Sequence, residues 1–309
     1  MDINLLLVQI LNGLQLGVLL FLVAAGLTLV FGIMDFINLA HGVQYMVGAY
    51  LAATVTAHTG SFLLGAALAL PGAVVVGLVL ERLVFRHLYG RDHLDQVLAT
   101  FGLIFLLTEG VRMLWGPTPQ PFPIPAWADF TVTLMGGVTY PFYRILVILG
   151  GLAVAGLLYA MVARTRFGML VRAGASNPRI LQAMGVDIGR LFMLVSGLGA
   201  MLAAFAGLMA GPILAVEPNM GDQILILAFV VIVVGGLGSI EGAFVGSLLV
   251  GLVDTLGRSF LTDLMKLMVS PSSANQIGPA LASMLIYVLM AVVLVLRPRG
   301  LLPAKGVAR

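Results

Sequence analysis

The chain has 309 residues, of which 61% are hydrophobic and 9% are charged, against roughly 45–50% and 25% in soluble domains. Its 16 basic and 13 acidic residues are too few to cover a water-exposed globule of this length, so the composition excludes a soluble enzyme. It predicts an all-α polytopic membrane protein for which lipid is the main solvent. The absence of cysteine excludes disulfides and thiol chemistry.

Hydrophobic runs bounded by polar or turn residues predict the membrane segments. In chain order the runs cover 5–31, 34–57, 62–81, 94–115, 143–163, 190–214, 222–236, 240–257 and 276–296. The seventh and eighth are short and are separated by a glycine-rich turn, so they form either two thin spans or one re-entrant or broken pair. We therefore expect eight or nine transmembrane helices in a single domain, residues 1–309. The first ten residues contain no Lys or Arg, so the first span is expected to be retained rather than cleaved.

The basic residues predict the orientation of these segments. Twelve of the sixteen fall in the loop after the third run, in the loop 164–190 and in the tail that ends with Lys305 and Arg309. If nine segments cross, these regions share one side, which the positive-inside rule assigns to the cytoplasm. The N-terminus and the proline-rich loop 116–142 are then outside, and a short interfacial helix is expected at 259–269.

The loop 164–190 contains a short helix with a stop signal at each end. Asn177 and Pro178 are typical of an N-cap followed by a proline at the first helical position. Gly185 is typical of the residue that ends a helix. The element is either an ordinary connector or a rigid docking helix through which another protein acts on the bundle.

Polar side chains recur on one face of the first two segments. Because such groups are costly in lipid, they either bond to neighbouring helices or line a solute pathway. The pathway hypothesis assigns six residues: Asn12, Gln15, Asn38, His41, Gln44 and Tyr45. No metal-ligand spacing and no catalytic constellation is recognised. Glu109 and Arg112, at i and i+3, are expected to pair.

Five segments, in order, resemble the motifs of LivH-type permeases of branched-chain amino acid ABC importers. The first is FGIMDFINLAHG at 31–42, followed by YMVGAY at 45–50. The others are ERLVFR at 81–86, RFGM at 166–169 with AGASN at 173–177 and GV at 185–186, GGLGSIEGAFVG at 235–246, and RPRGL at 297–301. The resemblance extends from about Asn12 to Leu302. It implies a type II ABC importer permease in the bacterial cell inner membrane.

The resemblance also implies a role for the short helix and a set of partners. Stretch 175–187 would be the coupling helix that contacts an ATPase, with Ala175, Asn177, Pro178, Arg179, Gln182 and Gly185. The partners would be a LivM-type second permease, LivG- and LivF-type ATPases and a soluble periplasmic substrate-binding protein. ATP would be bound by the ATPases, so this chain itself would need no cofactor. No nucleic-acid partner is expected, because the basic residues are not gathered into one exposed domain.

Several functions are compatible with these patterns. Relatives commonly have an acidic residue after the His-Gly pair, whereas this chain has Val43. An importer for urea, amides or small organic or aromatic acids therefore stands beside one for branched-chain amino acids. The alternatives from other classes are a passive small-solute channel and an ion-coupled secondary transporter that would use Asp35, Glu109 or Asp254.

Overall fold

The computed structural model describes residues 3–134 and 137–304 and is almost entirely helical. Within these residues the helices are α1 Ile3–Met34, α2 His41–Thr59, α3 Phe62–Leu80, α4 Arg86–Leu88, α5 His93–Trp115, α6 Phe142–Arg164, α7 Arg166–Ser176, α8 Pro178–Ala183, α9 Ile188–Ala210, α10 Met220–Gly235, α11 Ile240–Lys266 and α12 Pro271–Leu296. A π-helical turn, Glu81–Phe85, joins α3 to α4. Strands β1 Thr131–Thr133 and β2 Thr139–Pro141 pair antiparallel in the loop after α5.

Seven stretches of the described chain are long and apolar enough to cross a membrane: α1, the continuous stretch Phe62–Leu88, α5, α6, α9, α11 and α12. Two helices fall outside this set. The α2 helix has 19 residues but carries polar side chains, and α10 has only 16 residues, or about 24 Å at 1.5 Å per residue. The chain is a multi-pass membrane protein.

Contacts between residues that are far apart in the sequence show which helix termini lie together. The termini form two groups at opposite ends of the bundle, which we call the Asn12 end and the Gly238 end. Hydrogen bonds at the Asn12 end join Arg144 to Asn12, Trp115 to Thr54, Gln120 to Val216 and Arg112 to Asn219. At the Gly238 end, Gly32 packs against Gly238, and the backbone N–H groups of Leu301 and Leu302 donate to Val234 and Gly235.

These contacts show how the chain passes through the bundle. The α10 helix begins beside Arg112 at the Asn12 end and finishes at the Gly238 end, and α11 runs back along α1. Residues 222–257 therefore cross twice instead of re-entering. In the described part the chain runs nine times between the two ends, with Ile3 and Ala304 at opposite ends.

Three predicted boundaries differ from the observed ones. The expectation of a separate helix at 259–269 is wrong, because α11 continues unbroken to Lys266 and residues 259–266 are its last turns. The second segment starts at His41 instead of residue 34, since residues 35–40 are not helical. The third helical stretch extends to Leu88 through the π-helical turn.

Small residues allow the central helices to approach closely. On α1, Gly13 and Gly17 pack against Leu252 and Leu248 of α11. On α2, Gly48 faces Ala204 of α9 so closely that a Cβ would clash with the α9 backbone. Tight helix contacts of this kind replace the hydrophobic driving force that lipid does not supply. They leave α2 enclosed by α1, α3, α9 and α10.

Candidate functional site

The non-helical segment 35–40, between α1 and α2, is held by α5. The backbone N–H of Ile37 donates to Gln96 Oε1 at 3.0 Å, and that of Leu39 donates to Thr100 Oγ1 at 3.3 Å. Non-helical backbone at membrane depth requires such internal partners. At the start of the segment Asp35 has a positive φ of 51°, a conformation that L-residues adopt sparingly.

Four predicted pathway residues cluster where this segment enters α2. Asn38, His41, Gln44 and Tyr45 are at most 2% exposed. The Nε2 atom of His41 lies 3.1 Å from the carbonyl oxygen of Val23 on α1, which can only accept a hydrogen bond. The structure brings these four residues together inside the bundle, and the pathway role stays a prediction.

The cluster contains buried polar atoms with no hydrogen-bond partner among the described residues. The clearest is Oδ1 of Asn38, whereas the side chains of His41 and Gln44 lie close enough to pair with each other. An unsatisfied buried polar atom costs about 1–3 kcal/mol, and native structures contain few of them. The cluster is thus a polar region inside the apolar bundle.

The other two predicted pathway residues lie elsewhere. The Oδ1 atom of Asn12 accepts hydrogen bonds from Arg144 at 2.7 Å and from the hydroxyl of Tyr140 at 3.0 Å. Gln15, one turn further, is buried. Asn12 is eleven residues from Val23, or about 16 Å along α1, so the structure does not join the two predicted sets. For Asn12 the bonds to neighbouring elements agree with the helix-bonding alternative.

A cleft of about 350 Å³ separates α5 from α10. It is lined by Leu39, Phe101, Ile104, Phe105, Thr108, Glu109, Arg112, Asn219, Asp222, Leu225 and Ile226. Sequence reasoning predicted only the Glu109–Arg112 pair among these residues. The polar pair Asn219 and Asp222 at the start of a short apolar run was the available signal for the other wall.

Charged groups from both helices meet in this cleft. Arg112 Nη1 lies 2.6 Å from Glu109 Oε1, which confirms the expected i, i+3 pair, and Arg112 Nη2 donates to Asn219 Oδ1 at 2.9 Å. Asp222 lines the same cleft and makes no salt bridge with any described residue. No group of three or more acidic or histidine side chains arranged to hold a metal ion occurs in the described ranges.

The predicted coupling stretch folds as the short helix α8 with a cap at each end. The Asn177 side chain accepts a hydrogen bond from the backbone N–H of Ile180 at 3.1 Å, and Pro178 occupies the first helical position. Gly185 has φ 88°, the left-handed conformation that ends a helix. Asp187 then caps α9 by accepting from the N–H of Arg190 at 3.1 Å.

The residues assigned to coupling differ in how they are presented. Ala175, Asn177, Arg179, Gln182 and Gly185 are exposed, and Pro178 is half-buried. Leu181 is buried and anchors the helix, and Gly174 of α7 lies against Ile33 of α1. The stretch is thus a capped, exposed helix attached to the bundle at the Gly238 end.

Residues 9–294 match the family described as branched-chain amino acid transport system, permease component. The chain belongs to this family. The high-affinity branched-chain amino acid transport system permease protein BraD of Pseudomonas aeruginosa is 30% identical over 306 residues, covering 95% of this chain and 94% of BraD. The corresponding permease protein LivH of Escherichia coli K12 is 30% identical over 316 residues, with the same coverage.

A more distant organism supplies a third relative. The probable branched-chain amino acid transport permease protein LivH of Methanocaldococcus jannaschii is 30% identical over 257 residues, covering 79% of this chain and 78% of the relative. No solved structure matches the chain. These relatives are transport permeases and not enzymes, and the permease family predicted from the sequence motifs is confirmed.

Proposed function

We propose that the chain is the membrane subunit of an ATP-driven importer for branched-chain amino acids, and that it performs no chemistry of its own. The observation that carries this proposal is the family match over residues 9–294, together with relatives named for that substrate across 95% of the chain.

The Gly238 end faces the cytoplasm in this proposal. Arg91 lies at this end, since its carbonyl oxygen accepts a hydrogen bond from Gln96, the side chain that also holds Ile37. Loop 164–190 and Arg297 and Arg299 are at the same end. This accumulation of positive charge supports a cytoplasmic placement. Lys305 and Arg309 lie outside the described residues. The Asn12 end and loop 116–142 then face outward.

ATP would act on this chain through the exposed helix α8. A partner ATPase that grips α8 changes the equilibrium between outward-open and inward-open states only if it binds one of them more tightly. The caps at Asn177 and Asp187 and the glycine turn between them make the element stiff. Stiffness supports a coupling role, because a slack connector would absorb the ATPase motion.

The partners in this proposal are those of a complete importer. A LivM-type permease would complete the pathway, LivG- and LivF-type ATPases would bind the nucleotide, and a periplasmic binding protein would deliver substrate to the Asn12 end. The chain itself contains no Gly-Lys-Ser/Thr phosphate loop, which is consistent with nucleotide binding by other subunits.

The ion-coupled alternative finds less support. Asp254 Oδ1 lies 2.8 Å from Nε of Arg258, and Glu109 is paired with Arg112. A carboxylate that carries a coupling ion must release its partner during each cycle, whereas both of these have a cation on the same helix.

Val43 is the feature that supports a different transported substrate. It is 2% exposed and packs where α2 meets Gly221 of α10, so no acidic group occupies the position at which relatives commonly have one. Urea, amides and small carboxylic acids are therefore the competing substrates within the same transporter class.

Uptake by cells tests the proposal and its competitor together. A bacterial strain without branched-chain amino acid uptake would receive this chain with the permease, ATPases and binding protein encoded beside it. We expect accumulation of leucine, isoleucine and valine that disappears when either ATPase is omitted. Accumulation of urea or of carboxylic acids without amino acids would replace the substrate assignment. Uptake that persists without the ATPases would contradict the transporter class.

A further inference from the structure

The cleft between α5 and α10 changes from charged to apolar along its length. Because the two helices run in opposite directions, Glu109 and Arg112 of α5 stand level with Asn219 and Asp222 of α10, near the Asn12 end. The apolar lining lies one to three turns deeper: Phe101, Ile104, Phe105, Leu225 and Ile226. A solute that enters from the Asn12 end therefore meets charges first and an apolar surface next.

The charged groups retain capacity for a ligand. A guanidinium has five N–H donors, and the structure shows Arg112 using its Nη1 toward Glu109 and its Nη2 toward Asn219. Asp222 has no salt-bridge partner in the described part of the chain. Arg112 acts on Asp222 electrostatically without a direct ion pair. The cleft thus offers a guanidinium with spare donors and a carboxylate with free acceptor positions, two groups that match the carboxylate and ammonium of a zwitterion.

The exposure of the charges indicates what lies beside them. The side chains of Arg112 and Glu109 are 38% and 51% exposed on a helix long enough to span the membrane. Both residues lie in the last two turns of α5, which ends at Trp115, so they are close to the water interface at the Asn12 end. The mouth of the cleft is therefore open to a solute that arrives from that end.

The size and floor of the cleft fit a small solute. Its volume of about 350 Å³ is at the lower end of the roughly 300–1,000 Å³ typical of small-molecule sites. Leu39 forms part of its lining and belongs to the segment 35–40 that α5 holds. Asn38 and His41 of the buried polar cluster are neighbours of Leu39 along the chain and do not line the cleft.

We propose that this cleft is a binding station for an α-amino acid with a branched aliphatic side chain. Arg112 binds the α-carboxylate, Asp222 binds the α-ammonium, and Glu109 and Asn219 hold the guanidinium in place. The apolar half receives the side chain. The assignment rests on the proposed importer function and sharpens it, because urea and simple carboxylic acids have no ammonium group for Asp222.

The absence of native cysteine makes a direct occupancy measurement possible. In the assembled complex in lipid vesicles, Ile226→Cys places a thiol in the apolar wall, and Leu214→Cys serves as the control, since both positions are 51% exposed and Leu214 does not line the cleft. We expect saturating leucine to slow the reaction of a small polar thiol reagent at position 226 and not at position 214. The carboxylic acid and the amine that correspond to leucine without its ammonium or carboxylate should protect poorly.

The variant Asp222→Asn in the Ile226→Cys background tests the charge assignment. We expect the leucine concentration for half-protection to rise about tenfold or more, as for the loss of a charge-assisted hydrogen bond. Asp263→Asn, which alters an exposed acid paired with Lys266 on α11, should leave protection unchanged. Retained protection in Asp222→Asn, or a thiol at position 226 that is unreactive or unprotected in every state, would overturn the proposal.

ATP-driven leucine uptake by the same vesicles separates the two claims. If the complex imports leucine and the cleft shows no protection, the station is wrong and the importer stands. If the unmodified complex imports no amino acid, the proposed function itself fails.

Discussion

Gly42 of α2 and Gly221 of α10 are in backbone contact, and a Cβ on Gly42 would overlap the carbonyl oxygen of Gly221. Each glycine removes the side chain that would hold the two helices apart. The contact fixes α10 beside the turn of α2 that carries the buried polar cluster. The same helix pair would therefore be displaced by a single methyl group.

Substitution of this glycine should destabilise the bundle. We expect Gly42→Ala to lower thermal stability in detergent, because overpacking costs about 1–3 kcal/mol. The matched control is Gly156→Ala on α6, where a Cβ meets nothing within 4 Å. For both variants, the protein is heated to a series of temperatures, and the fraction that stays folded is measured by fluorescence-detected size-exclusion chromatography. The temperature at which half of the protein is lost is the midpoint. Equal midpoints would contradict the close α2–α10 contact.

Residue-level prediction from sequence works within a helix and fails between helices. Glu109 and Arg112 pair as their i, i+3 spacing predicts. The second partner of Arg112, Asn219, is 107 residues away, and no local spacing could identify it. Asp222 was missed for the same reason, since the charged residues that line the cleft with it, Glu109 and Arg112, belong to another helix.

At the scale of elements, the turn that ends α8 contains one position, Gly185, whose backbone conformation restricts which residue types can occupy it. Gly185 has φ 88° in open space, so a side chain there would be strained without clashing. A β-branched residue is poorly suited to this conformation, whereas Asn adopts it readily.

We expect Gly185→Val to reduce transport per ATP hydrolysed, since the turn that ends α8 would be displaced at a cost of about 1–2 kcal/mol. Gly185→Asn should retain coupling. Leucine uptake and ATPase activity, measured in the same vesicles, give the ratio. Full coupling in the valine variant would argue that α8 is only a connector.

Segment 35–40 is the second element with a special position, because it closes the cleft at Leu39 and reaches an aromatic cluster at the Gly238 end. The ring centroid of Phe36 lies 5.6 Å from that of Tyr89, which lies 5.2 Å from that of Phe192 on α9. Since α9 follows α8 directly, these contacts connect the region of α8 to Leu39 in the lining of the cleft.

Access to Asn38 should depend on this connection. Asn38 is 1% exposed in the structure, so a thiol in Asn38→Cys is expected to be unreactive in this conformation. We expect it to react with a polar thiol reagent when nucleotide turnover opens the cleft toward the Gly238 end. Labelling rates with and without ATP measure the change. Protection in every nucleotide state would show that the segment is a packed element and not a gate.

The hydrophobic runs predicted the number of helices well, but they did not predict the non-helical break at residues 35–40. Nine apolar runs correspond to nine passages, but the run 34–57 hid the break because Phe36, Ile37, Leu39 and Ala40 are themselves apolar. The break is possible because Gln96 and Thr100 satisfy its backbone. That compensation comes from another helix and is invisible in the run itself. The helix expected at 259–269 failed because α11 simply continues.

At the scale of the whole molecule, the odd number of passages places Ile3 and Ala304, the first and last described residues, at opposite ends of the bundle. The hydrophobic runs predicted eight or nine transmembrane helices, and the contacts at the two ends of the bundle give nine passages for the described residues. The basic residues support the proposed cytoplasmic placement of the Gly238 end.

Single cysteines test this orientation. Thr118→Cys in the proline-rich loop should react with a membrane-impermeant thiol reagent added to intact cells. Gln182→Cys on α8 should react only after the membrane is permeabilised, and the unmodified cysteine-free chain is the control. The reverse pattern would invert the topology and place the coupling helix outside.

Uptake by a purified complex tests the central claim most directly. Vesicles would contain this chain with its proposed permease and ATPase partners, with ATP sealed inside and the binding protein with radiolabelled leucine outside. We predict that leucine accumulates inside above its outside concentration only when hydrolysable ATP is present. Accumulation driven by an ion gradient without ATP, or equilibration that stops at equal concentrations, would contradict an ATP-driven importer.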